Sequence, residues 1–133
     1  MTKKIFLNLT LTLISSIIIT GIIFFIWSSL SHLNFEETQA QNLFFVGLTI
    51  FQNIVIAIFT LPIAFQINTE NYFSVKTKML YTLASPVLTT SIFVFLMFSN
   101  IDLKFIFSSF VAPVIFVLLN FYFYFRLENY ASR

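Results

Sequence analysis

Leu43 to Phe65 reads LFFVGLTIFQNIVIAIFTLPIAF, a run of twenty-three residues without a charge. As a helix rising about 1.5 Å per residue it crosses the roughly 30 Å hydrocarbon core of a bilayer. At its centre stand Gln52 and Asn53, side-chain amides that hydrocarbon disfavours unless they are paired. Comparable stretches occupy Ile5 to Leu30, Met79 to Phe98 and, with Lys104 at its very start, roughly Leu103 to Phe125. Together the four account for most of the chain.

The rest of the composition agrees. The hydrophobic share is 59% and the charged share 9%, against about 25% charged in an ordinary soluble domain. A soluble fold of 133 residues cannot hide that much apolar surface. A net charge of +2 is too small and too scattered for a nucleic-acid partner. With no cysteine, disulfides and thiolate metal sites are excluded. Outer-membrane barrel strands would read as segments of about ten residues alternating apolar and polar, and these runs are continuous and longer. The chain also lacks the membrane-embedded glutamate of small multidrug carriers and the cysteines of four-helix disulfide-forming proteins.

The first stretch follows a basic start, Met1 to Lys4, but exceeds the 7–15 apolar residues of a secretory signal and lacks a small-residue cleavage site, so it reads as a retained span. Asn8, Thr12, Ser16 and Thr20 recur at four-residue spacing and form one stripe. On the second stretch Thr49, Asn53, Ala57, Thr60 and Ala64 mark a small and polar side. Thr38 and Gln41 fit a capping box, and Asp102 suits the N-cap of the last helix. Gln66 to Lys78 reads as a connection, and Arg126 to Arg133 as a polar tail.

Basic residues favour the cytoplasmic side. With four spans, six of the seven fall on the side of the termini: Lys3, Lys4, Lys76, Lys78, Arg126 and Arg133. Both termini are therefore expected in the cytoplasm, with a bacterial inner membrane as the default. The five tyrosines fall toward that interface and Trp27 toward the other, as aromatic belts do. Trp27, Tyr122, Tyr124 and Arg126 are the candidate interfacial anchors or docking residues.

Matching depths across the spans brings Ser16, Gln52, Asn53, Thr89 and Thr90 to one polar midplane layer. Gln52 and Asn53 lie about 100° apart on their helix, so one is expected to serve the core and the other a second protein or a second copy. Such a layer serves as interhelical glue or, alternatively, as a path for a small solute. No ionisable residue accompanies it, and a proton-coupled carrier normally needs one there. Pro62, Pro86 and Pro113 are expected to kink helices two, three and four. His32, Glu36 and Glu37 cluster on one loop, too few and too wet for an expected metal site. No cofactor motif, nucleophile elbow or phosphate loop occurs.

The expectation is an all-α integral membrane protein, one domain over residues 1–133, folded as a four-helix transmembrane bundle with N and C termini cytoplasmic. It needs no cofactor and is not an enzyme. Its partners are the lipid bilayer and another integral membrane protein or itself, as an accessory or assembly subunit or an immunity-type inhibitor of a membrane-acting toxin. The alternative is an oligomeric channel or carrier using the polar midplane layer.

Overall fold

A computed structural model describes residues 2–30, 35–68, 70–97 and 103–131. Helix α1 is Thr2–Leu30 and α2 is Phe35–Gln66. The third rod is composite: α3 (Val75–Met79), a π-helical turn (Leu80–Ala84) and α4 (Ser85–Met97) follow without a break. Helix α5 is Leu103–Ala131. No strand occurs among the described residues. Ile, Val and Thr are mediocre helix formers in water. In apolar surroundings, however, the backbone must satisfy its own donors and acceptors, and a helix does so within one segment.

Four segments are long and apolar enough to cross a membrane: Lys3–Trp27, Leu43–Gln66, Val75–Leu96 and Ser109–Asn129. The helices outrun the apolar stretches that announce them. Helix α2 begins at Phe35, so Thr38 lies inside it rather than at its N-cap. Val75–Met79 is helical, which shortens the expected 66–78 connection, and α5 carries the expected tail out to Ala131. Asp102 lies outside the described residues.

The rods pack as an up-and-down bundle. Helix α1 lies between α2 and α5, α4 also packs on both, and α2 meets α5 across the short diagonal. At the termini end Ile5, Ala64, Ile67, Tyr72, Tyr81 and Tyr124 form one buried cluster. Deeper in, Leu9, Ile56, Ala57 and Phe116 form a second. The rest of the described interior is mainly polar, with Phe24, Phe93 and Ala112 also buried, and the exterior is mainly apolar, with Phe25, Leu96, Phe95 and Leu118 more than 60% exposed.

The connection at 67–74 is tied down. Asn68 and Asn71 each donate a backbone N–H to the other's side-chain oxygen, at 2.8 and 3.0 Å. Asn71 Nδ2 also donates to the carbonyl of Gln66 (3.0 Å), satisfying an acceptor that the helix end leaves open. Tyr72 turns inward, stacks on Tyr124 at 5.0 Å and accepts the Tyr124 hydroxyl at its carbonyl (2.6 Å). Burial, and then the Glu128 carboxylate, hold the Tyr72 phenol above its ordinary pKa of 10.0. Lys78 and Glu128 form an ion pair across the same end. Tyr124→Phe removes the bond that anchors this loop, worth about 1 kcal/mol. Amide hydrogen exchange over residues 67–74 should quicken severalfold in that variant while the rest of the chain keeps its protection. Unchanged exchange in the loop would mean that the ring stack alone holds it.

Candidate functional site: a closed polar column

The four-residue stripe on α1 is its interior line. Asn8, Thr12, Ser16 and Thr20 are all buried, as are Thr49, Asn53, Ala57, Thr60 and Ala64 on α2. Most of these hydroxyls return to the helix that carries them. Thr12, Thr20 and Thr60 donate to the carbonyls of Asn8, Ser16 and Ile56 at 2.6–2.9 Å. That habit lets a threonine face an apolar interior with its polar demand met locally.

The amides do the cross-linking. Asn53 faces α1, where its Oδ1 accepts Ser16 Oγ at 2.5 Å while its Nδ2 donates to the Thr49 carbonyl at 2.8 Å. Gln52 faces α5 and donates Nε2 to the Ser109 carbonyl at 2.7 Å. Both are fully buried, so neither is left for a second protein. The 100° step between them, which suggested that division, instead spans the two inner neighbours of α2. Position on the diagonal explains why both fit.

Ser109 is four residues before Pro113, and in an α-helix its carbonyl would accept the N–H of residue 113. Proline has none. Gln52 thus fills a vacancy that Pro113 makes. A second couple repeats the device. In the π register the Tyr81 carbonyl would look to the N–H of residue 86, and residue 86 is again proline. Asn120 Nδ2 donates to that carbonyl at 3.2 Å. Pro113 and Pro86 are buried in the bundle, whereas Pro62 is exposed. The expected kinks at Pro86 and Pro113 are therefore hydrogen-bonding sites, and Pro86 has the irregular turn beside it that composition did not reveal.

Asn120 also accepts Asn8 Nδ2 (3.4 Å) and Thr12 Oγ1 (3.5 Å), and Asn8 Nδ2 reaches the Tyr81 hydroxyl at 3.4 Å. This joins α1, the π turn and α5 in one network. On the far seam Ser85 Oγ donates to the Ile56 carbonyl at 2.5 Å, which in antiparallel helices sets Thr89 level with Gln52 one turn further on. Thr89 Oγ1, Gln52 Oε1 and Asn8 Oδ1 are buried without a protein partner. Thr90 departs from the layer: it is half-buried, and its hydroxyl returns to the Pro86 carbonyl at 2.7 Å.

The expected anchors divide. Tyr122 is exposed and Arg126 lies exposed on α5. Tyr124 is only 2% exposed and Tyr81 and Tyr72 no more, so these three are core residues, not an interfacial belt. The Tyr124 hydroxyl donates to the Tyr72 carbonyl and the Tyr81 hydroxyl accepts from Asn8, so these two phenols meet polar atoms inside the bundle. Trp27 is half-buried and stacks on Phe24 at 6.1 Å. His32 lies outside the described residues, and Glu36 and Glu37 stand in the first turn of α2. No group of three metal-ligating side chains occurs among the described residues.

The arrangement can bind helices to one another, and its described members carry no group that titrates near neutral pH. No family model, characterised relative or solved structure matches the chain.

Proposed function

We propose that the chain inserts as a four-helix transmembrane bundle with both termini in the cytoplasm and works, without catalysis, by helix–helix contact with another integral membrane protein. An accessory or assembly subunit and an immunity-type inhibitor of a membrane-acting toxin both fall within this reading, with a bacterial inner membrane as its site. One observation carries it. Among the described residues the amides of Asn8, Gln52, Asn53 and Asn120 and most hydroxyls of the spans are buried, while the perimeter of those spans is mainly large apolar side chains.

Ser16, Gln52, Asn53 and Thr89 are fully buried. That closure favours packing over a solute path along the layer, the second reading. The described connection at 67–74 adds little free surface, since it is folded onto the bundle. Surface of this kind has only lipid or other membrane helices to meet.

The test is affinity capture of the natively expressed protein in a gentle detergent, read by mass spectrometry and blue-native electrophoresis. A stoichiometric membrane protein is the expected companion. Migration only as a monomer or a homo-oligomer would count against the reading. Flux of a small solute through reconstituted vesicles, lost in Asn53→Leu, would replace it with the channel.

A further inference from the structure

A groove of about 420 Å³ runs along the outer seam between α4 and α5. Leu83 and Val87 wall one side, and Phe110, Val114 and Leu118 the other, with Pro113 among its lining residues. Its polar members are satisfied locally, for Thr90 and Ser91 donate to the Pro86 and Val87 carbonyls at 2.7 and 2.8 Å. Toward the termini end the same rod carries Lys78 and Lys76, five and seven residues before Leu83. That puts them roughly 7 to 11 Å further along the axis. Lys78 pairs with Glu128 of α5, ten residues beyond Leu118, the last groove residue on that helix. Lys76 is exposed, and no acid pairs with it among the described residues. Beyond the groove, toward the termini end, stand Lys76, Lys78 and Glu128, with the exposed Arg126 two residues before Glu128 on α5.

We propose that this groove binds an anionic phospholipid, one acyl chain lying along the α4–α5 seam and the phosphate meeting Lys76 and Lys78. An ammonium has three donors, so Lys78 can keep Glu128 and still contact a phosphate oxygen. Basic sites between helices at the cytoplasmic face are the usual setting for such headgroups, each cation contributing about 1 kcal/mol. A helix is the poorer occupant. It is about 10–12 Å wide with its side chains, and membrane helices approach one another through Gly, Ala and Ser. The groove has instead branched aliphatic and aromatic walls, and no free hydroxyl. An acyl chain is thin enough for it.

The inference rests on the membrane insertion proposed above but not on the protein partner. Resistance to alkaline carbonate extraction from membranes reports insertion by itself. For the lipid, native mass spectrometry of the detergent-purified protein compares phosphatidylglycerol with phosphatidylcholine of the same acyl chains. Phosphatidylglycerol is expected to be retained at least about fivefold better. Lys76→Gln, an exposed change that leaves the helix intact, should lower its retention about fivefold, the equivalent of about 1 kcal/mol, and leave phosphatidylcholine unaffected. Val87→Trp, which fills the groove, should reduce both. Equal retention of the two lipids, or Lys76→Gln binding as the wild type does, overturns the proposal. So does a protein cross-linked stoichiometrically from a photoreactive residue at position 87 that added phosphatidylglycerol fails to displace.

Discussion

Replacing Gln52 with leucine is expected to destabilise the bundle by about 1.5 kcal/mol, and adding Pro113→Ala to that variant to return about 1 kcal/mol of it. Interhelical hydrogen bonds in membranes average only about 0.6 kcal/mol, because separated helices find other partners. The Ser109 carbonyl has fewer alternatives. Pro113 withholds the N–H that would serve it within α5, whether the helices are apart or together. The Gln52 amide, at 2.7 Å, is the donor the bundle adds. The interaction therefore belongs near the upper end of the measured range, about 1.7 kcal/mol. Alanine at 113 restores the intrahelical donor on a helix that already continues through that position, so it repairs the leucine variant. In the wild-type background the same change should be nearly neutral, since donor and amide then compete for one carbonyl. Unfolding of the four variants in mixed micelles gives the cycle. Strict additivity would show that Gln52 and Pro113 act independently, and would remove the couple from the account.

Much of the architecture was legible from residue spacing, and the failures are instructive. The stripe of Asn8, Thr12, Ser16 and Thr20 announces an interior line because a four-residue repeat stays on one side of a helix. The length of each apolar stretch announces a helix long enough to cross a membrane. What spacing does not carry is the neighbour that a side chain meets. Gln52 and Asn53 look as though they must diverge, one inward and one outward. Since α2 has α1 beside it and α5 across the diagonal, both directions are inward. The tyrosines gather near one end of the bundle, as an interfacial belt would. Depth along the axis says nothing of radial position, and Tyr72, Tyr81 and Tyr124 lie at the centre. The sequence LYTLA contains nothing that distinguishes a π turn from an α turn. Its cause lies partly downstream at Pro86 and partly on another helix, at Asn120. A proline read alone is a kink. Read with the amide opposite it, it is half of a contact.

Asn120→Leu is expected to cost about 2 kcal/mol, whereas Tyr81→Phe at the same network should cost less than about 0.5 kcal/mol. The two residues touch each other, so the ranking separates the backbone contact from the phenol. Leucine nearly matches asparagine in shape but leaves the Tyr81 carbonyl buried without a donor, and an orphaned buried acceptor costs about 1–3 kcal/mol. It also removes the oxygen that receives Asn8 Nδ2 and Thr12 Oγ1, although Thr12 keeps the Asn8 carbonyl at 2.9 Å. Phenylalanine at 81 keeps the carbonyl and the ring packed against Tyr124, and loses only a hydroxyl 3.4 Å from Asn8. That contact is long for a hydrogen bond and weak in proportion. Pro86→Ala offers the independent check. With an N–H at 86 the segment can satisfy the Tyr81 carbonyl from its own backbone, so alanine should recover part of the Asn120→Leu loss and little of any Tyr81→Phe loss. Thermal or detergent unfolding of the purified variants ranks them directly. If Tyr81→Phe proved the costlier, the phenol would be the organising group, and the pairing of asparagine with a proline-freed carbonyl would fail at this end of the bundle.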